Sequence, residues 1–121
     1  LYQDKYDLAL ANLERAIRSG LAVEETYLLH AIALRHLASD AKTNQEALKS
    51  LDLAVERRTA GSRFIHSERG LLYLRSGDFD KAQMAFESYL SILSRANPDD
   101  YRDEIDWGRK MLARCKLLLG K

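Results

Sequence analysis

The stretch that decides the fold is residues 67–89, SERGLLYLRSGDFDKAQMAFESY. A compact apolar run around Gly70 is broken at Gly77, and a second run then carries Ala82 and Phe86 on one stripe. This three-four spacing of apolar residues is typical of helices that bury one face. Small residues opposite large ones allow two helices to approach closely while the space between them stays filled. The stretch therefore predicts two helices that pack back to back.

The composition narrows the class of protein. The chain has 121 residues, which predicts one domain. Its net charge of +1 gives no reason to expect nucleic acid or an anionic membrane as a partner. A single cysteine excludes an intrachain disulfide, and we expect the cytoplasm as the compartment, with the periplasm or another compartment left open. No apolar run is long enough to span a membrane. One proline and 6 glycines predict an all-α fold.

Six helices follow from the apolar periodicity and from the residues between the periodic segments. They are predicted over residues 1–19, 23–38, 43–59, 62–75, 79–95 and 101–119. The second is apolar on almost every side, which predicts packing on more than one side. Thr43 and Glu46 predict a capping box, and Ser62 and Asp78 are predicted N-caps.

A repeat runs through these helices. The first, third and fifth share a small, a large, and then a small or aromatic residue: Ala9-Leu13-Ala16, Ala47-Leu51-Ala54 and Ala82-Phe86-Tyr89. From Ala9 to Ala47 is 38 residues, and from Ala47 to Ala82 is 35. The interleaved helices carry a small residue at Ala31, Gly70 and Gly108, spaced 39 and 38 apart. A period in this range with two helices per unit predicts an α-solenoid.

The strongest copy resembles the tetratricopeptide repeat (TPR) family. The resemblance rests on Gly70, Tyr73, Gly77, Phe79, Ala82 and Phe86. It covers nearly the whole chain and implies a right-handed superhelix of about six antiparallel helices. His66 and Arg69 depart from it, since the family favours large apolar residues there, and Tyr89 takes a place usually held by alanine. Pro98 comes later than the family's proline, which predicts an extra turn in the fifth helix.

The resemblance implies a single domain over residues 1–121. Within it, residues 1–20 are the second helix of a partial repeat, 22–61 and 62–97 are repeats, and 99–121 are a capping helix. A second helix without a first predicts either a piece of a longer protein or a cap with another partner.

Histidines and the cysteine give no predicted catalytic or metal site. His30 and His36 lie six residues apart, on different faces of one helix, and are poorly placed to share a metal. His66 and Glu68 have the H-x-E spacing of zinc deaminases, but the paired cysteines of that motif are absent. Cys115 lies on an apolar stripe, which predicts a buried thiol. We therefore expect no enzyme activity, no cofactor and no metal.

Two further groups of residues are predicted to be structural. Trp107, Met84 and Met111 are predicted to pack in the core or under a cap. Arginines gather loosely around the fourth helix, with acidic residues among them, and we expect them to form a solvated face. They are Arg57, Arg58, Arg63, Arg69 and Arg75.

In the TPR family the first helix of each pair lines a concave groove, and this geometry supplies the candidate partner-binding residues. They are Glu25, Leu28, Ile32, Arg35, His36, Phe64, Ser67, Leu71, Leu74, Arg75, Arg102 and Arg109. An apolar floor edged by arginine and histidine suits a peptide or a helix of a partner protein. The resemblance therefore implies a non-catalytic protein-interaction module. The lysine and asparagine set with which some family members clamp chaperone termini is absent from the second and fourth helices.

Two alternatives stay open. The chain is an accessory or regulatory domain of a larger, possibly enzymatic, protein, since residues 68–74, ERGLLYL, look similar to bacterial transglutaminase-like proteins with a repeat-containing tail. Otherwise it is a self-association domain that forms a homo-oligomer through the unpaired face of the first helix.

Overall fold

The computed structural model describes residues 2–20, 23–57 and 63–120. They form six α-helices and one 3₁₀ turn, and no strand occurs among them, so the all-α prediction is confirmed for this part of the chain. The elements are α1 (Tyr2–Arg18), α2 (Glu24–Leu37), α3 (Ala41–Arg57), α4 (Arg63–Ser76), α5 (Phe79–Ser94), the 3₁₀ turn (Pro98–Tyr101) and α6 (Arg102–Leu118).

The helices group into two compact units, Leu1–Gly61 and Ser62–Lys121. In the first unit α2 packs on both α1 and α3, and in the second α5 packs on both α4 and α6. The prediction that the second helix is packed on more than one side is confirmed. The assignment of both units to a single domain stays a prediction.

Small and large residues alternate in the buried stripes of the first unit. In α2 the buried residues include Tyr27 and Leu34. In α3 the whole predicted triplet Ala47, Leu51 and Ala54 is inaccessible to solvent. The corresponding triplet of α1 is only half-buried. The repeat therefore sets which residues of each helix turn inward, but the depth of burial differs between α1 and α3.

A glycine and a phenylalanine set the spacing in the second unit. A Cβ atom at Gly70 would lie 2.5 Å from Cζ of Phe86, whose side chain is fully buried. Ala82 and Cys115 complete the inaccessible centre of this cluster. Gly108 on α6 permits a second close approach, since a Cβ there would lie 2.8 Å from a methyl carbon of Leu90.

Aromatic rings fill the space around that centre. Trp107 meets the rings of Phe86 and Tyr89 edge to face, with centroids 5.7 and 5.6 Å apart. Met111 packs against the same cluster, and Cys115 is buried as expected. The predictions for Trp107, Met111 and Cys115 are confirmed.

The prediction that Met84 packs in the core or under a cap is wrong. Its side chain is 67% exposed. Met84 follows Ala82 by two residues, which is about 200° around an α-helix, so the two lie on opposite sides of α5.

The start of α3 differs from the prediction. Asp40 caps this helix: its carboxylate accepts the backbone N–H of Thr43 at 2.9 Å and the hydroxyl of Thr43 at 2.8 Å. The predicted capping box of Thr43 and Glu46 is wrong, because the helix already begins at Ala41. These hydrogen bonds lower the pKa of Asp40. The predicted cap Asp78 is confirmed by the N–H of Lys81 at 3.3 Å, whereas Ser62 lies outside the described residues.

Replacing Gly70→Ala tests the close approach of α4 and α5. In an ordinary helix interior this change stabilises by about 0.5–1 kcal/mol, because alanine loses less backbone entropy. Here we expect a net loss in the free energy of unfolding of about 1–3 kcal/mol, since the rigid ring of Phe86 has no room to move. Urea denaturation measures it. In a Phe86→Leu background the same change should cost less, and an equal cost in both backgrounds would contradict the proposed contact.

Candidate functional site

The candidate partner-binding residues differ in how far solvent reaches them. Exposed members lie on three helices: Glu25, His36, Phe64, Arg102 and Arg109. Half-buried members are Leu28, Ile32, Arg35, Leu71, Leu74 and Arg75. The members on α2 belong to the first unit and those on α4 and α6 to the second.

Three candidates on α4 have structural contacts of their own. Ser67 is 8% exposed, and its hydroxyl donates to the backbone carbonyl of Phe64 at 3.0 Å. Leu71 and Leu74 pack against the cluster around Phe86. These leucines hold the unit together, so replacing them would test stability as much as binding.

Phe64 is the large apolar candidate that solvent reaches most freely on α4. Its side chain is 45% exposed, and the guanidinium carbon of Arg63 lies 4.2 Å from its ring centroid. A guanidinium over an aromatic face is attracted by the ring quadrupole. The ring is thus held in place although it faces solvent.

Arg63 is itself fixed by a carboxylate. Its Nε donates to Oε2 of Glu104 at 2.7 Å and its second nitrogen donates to Oε1 at 3.1 Å. The hydroxyl of Tyr89 donates to the same Oε2 at 3.0 Å. Tyr101 covers the guanidinium at 4.8 Å from its ring centroid. This group, Arg63, Tyr89, Tyr101 and Glu104, is called the arginine network below, and it joins the starts of α4 and α6 to α5.

Contacts within the arginine network shift the pKa values of three of its members. Hydrogen bonds from Arg63 lower the pKa of Glu104, and the same contact raises the pKa of Arg63. Burial, followed by the hydrogen bond to Glu104, raises the pKa of Tyr89 to about 12. All three shifts favour a charged Arg63–Glu104 pair and a neutral phenol, so the network is a stable ion pair and not a poised acid or base.

A second polar contact lies in the first unit. Nδ1 of His30 and Oγ of Ser50 are 2.5 Å apart, which joins α2 to α3. Burial lowers the pKa of His30, while Glu14 on α1 and Glu46 on α3 act in the opposite direction. A serine beside a histidine can serve as a nucleophile. Ser50, however, is 5% exposed in the middle of a helix, which leaves no room for a substrate at its hydroxyl.

His36 lies on another face of α2. Its ring stacks on that of Tyr6, with centroids 4.4 Å apart and planes 7° from parallel. The two histidines of α2 therefore have separate neighbours.

Across the described ranges, no group of three His, Cys, Asp or Glu side chains is placed to hold a metal ion. The acidic residues around the 3₁₀ turn form only an open depression. None of the helices the structure describes is long and apolar enough to cross a membrane.

Comparison with protein-family models, with curated proteins and with solved structures finds no match for this chain.

The sequence did not reveal the arginine network. Arg63 was assigned to a solvated basic face, and Glu104 was given no role. They are 41 residues apart, and no local pattern signals such a contact. Tyr89 offered one hint, because a tyrosine on the apolar stripe of a helix brings a hydroxyl that needs a partner when buried.

The raised pKa of Tyr89 predicts that the free energy of unfolding falls at alkaline pH. The fold favours the neutral phenol, so its contribution is full below pH 10 and is lost as the pH rises from 10.0 to about 12. Tyr89→Phe should lower the free energy of unfolding at pH 7 by about 0.5–1.5 kcal/mol, and the gap to wild type should narrow above pH 10. Urea denaturation at several pH values measures both effects. Tyr73→Phe, outside the arginine network, is the control, and a gap that stays constant with pH would contradict the assignment.

The lowered pKa of His30 predicts that the free energy of unfolding falls at acidic pH. Its pKa in the fold lies below 6.5, so the fold favours neutral imidazole; this contribution is full above pH 6.5 and is lost as the pH falls through the lowered pKa. The wild-type free energy of unfolding should therefore fall more steeply between pH 7 and 5 than that of His30→Gln. Parallel pH profiles for wild type and His30→Gln would be the opposite result.

Proposed function

We propose that the chain is a TPR-like α-solenoid that acts as a non-catalytic protein-interaction module. Its ligand is a peptide or helix of a partner protein, held by apolar side chains and by arginines that bind carboxylates. The observation that carries the proposal is Phe64, an exposed aromatic ring that Arg63 holds in place.

An aromatic side chain of this kind makes an effective binding anchor. Aromatic and arginine residues dominate the binding energy of protein interfaces. A ring that is already ordered loses little conformational entropy when a partner covers it. Arg63 keeps the ring of Phe64 in place because Glu104 fixes its guanidinium at 2.7 Å. Phe64 is therefore prepared for binding before a partner arrives.

Exposed arginines on α6 supply the positive charge that would bind carboxylates of the ligand. Arg109 is exposed, and Arg102 makes only a solvent-exposed ion pair with Asp99 at 3.3 Å. Exposed pairs contribute little free energy, so Arg102 can exchange Asp99 for a ligand carboxylate at small cost. We infer that the ligand combines an aliphatic or aromatic anchor with acidic residues. The candidates on α2 belong to this proposal through the family geometry.

Replacing Phe64→Ala should weaken binding without unfolding the protein. Peptides selected from a random display library against the wild-type chain serve as probes, and fluorescence anisotropy gives their affinities. We expect a rise in Kd of about tenfold or more, corresponding to about 1.4 kcal/mol for a buried anchor. Circular dichroism should be unchanged, because Phe64 is exposed.

Met84→Ala is the matched control. It removes an exposed apolar side chain from α5, outside the candidate surface, and should leave Kd within about twofold, as for contacts that carry little binding energy. Peptides that lose affinity with Met84→Ala but keep it with Phe64→Ala would place the binding surface elsewhere. A selection that yields no peptide with Kd below about 1 mM would count against the module itself.

A further inference from the structure

The outward face of α6 is mostly acidic toward the start of the helix and basic toward its end. This helix packs on α5 through the side that carries Gly108 and Cys115. The opposite side is exposed and holds Arg102, Asp103, Asp106, Arg109, Lys110, Ala113, Arg114, Lys116 and Leu117.

Charge changes sign along this face, level with Gly108. Before that level lie the exposed Asp103 and Asp106 on α6 and the exposed Asp99 and Asp100 on the preceding 3₁₀ turn. One exposed cation lies among them, Arg102, and it pairs with Asp99 at 3.3 Å. After it lie four exposed cations, Arg109, Lys110, Arg114 and Lys116, and residues 107–120 contain no acidic residue.

The helix macrodipole accounts for only part of this arrangement. It favours acidic residues in the first turn and Lys116 in the last turn. Its effect fades within one turn of the helix end, whereas Arg109 and Lys110 lie in the middle of α6. It also gives no reason for Leu117, which is 77% exposed on the same side.

We propose that a second copy of this chain covers the outward face of α6, with the two α6 helices antiparallel about a two-fold axis near the level of Gly108. A two-fold axis brings the same patch of both copies together, so the patch must complement itself. The antiparallel arrangement sets the aspartates of each copy against the cations of the other. Asp106 of one copy then meets Arg109 or Lys110 of its partner, while Leu117 is shielded from water.

Other occupants fit this face less well. A parallel α6 pair would set like charges side by side. A nucleic acid would meet the cations but would be repelled by the aspartates on the same face. A second copy satisfies both halves at once.

The interface is small and electrostatic. A helix of 17 residues is about 25 Å long at 1.5 Å per residue, so one pair of α6 helices buries less surface than a standard interface. We expect a weak dimer whose association falls with rising salt, since exposed charge pairs are screened beyond about 10 Å at 0.1 M ionic strength.

Paired charge reversals test the self-complementarity. One variant carries Asp103→Lys and Asp106→Lys, and the other carries Lys110→Glu and Arg114→Glu. Each variant alone should lose self-association by about tenfold or more, while an equal mixture should form a mixed dimer at least as readily as wild type forms its own. Sedimentation velocity across a concentration series at low and high salt measures both. Lys49→Glu with Asp52→Lys, exposed on α3, is the matched control and should behave as wild type.

Disulfide trapping tests the orientation. In an antiparallel pair, a cysteine near the axis meets its own copy and a cysteine near the helix end does not. Arg109→Cys should therefore give a linked dimer under oxidation, whereas Leu117→Cys should not. The wild-type chain is the negative control and should give no linked dimer, since its Cys115 is buried.

A wild-type chain that stays monomeric at low salt and high concentration would overturn the proposal. So would linkage through both cysteine variants, or a dimer that Leu8→Glu on α1 disperses and the α6 reversals do not. If a charge reversal fails to fold by circular dichroism, the neutral pair Asp106→Asn and Lys110→Gln replaces it with the same expected loss. Phe64→Ala should leave the dimer intact, because Phe64 lies on α4 and not on the outward face of α6.

Discussion

The contact between Gly70 and the ring of Phe86 is the constraint on which the second unit depends. Because Gly70 has no side chain, α4 comes close enough to α5 for the ring to lie against its backbone. The ring then provides one wall of a cluster that Ala82 and Cys115 complete at its centre, and Trp107 adds an edge from α6. The spacing of α4 and α5 follows from this missing side chain, and the close approach of α6 to α5 depends in the same way on Gly108.

The arginine network uses the geometry that this apolar contact creates. Once α4, α5 and α6 are packed, Arg63 lies within hydrogen-bonding distance of Glu104, and Tyr89 reaches the same carboxylate. Apolar packing is not directional. A partly buried, bidentate arginine–carboxylate pair has a fixed geometry, so it restrains the orientation of the packed helices. Phe64 benefits because the guanidinium over its ring cannot swing away. A structural ion pair thereby prepares an exposed side chain for the proposed function.

The distribution of exposed side chains changes which candidate residues are useful for binding. Ser67 is buried, while Leu71 and Leu74 contribute to the cluster around Phe86. Phe64 and the charged residues of α6 remain available at the surface. The framework residues and the residues that can meet a partner are therefore neighbours on the same helices. Residues that are close in sequence have opposite roles because an α-helix turns about 100° with each residue.

The sequence by itself determined the helices, their repeat and their inward faces, because apolar periodicity and small residues act locally along the chain. Even so, a local pattern misplaced the cap of α3, since Asp40 and Thr43 were both suitable and only the backbone path selects one. It also placed Met84 in the core or under a cap, although that side chain is exposed on the outer side of α5. Only the tertiary structure decided that Arg63 pairs with Glu104, 41 residues away, because a long-range contact depends on helix packing and not on neighbouring residues.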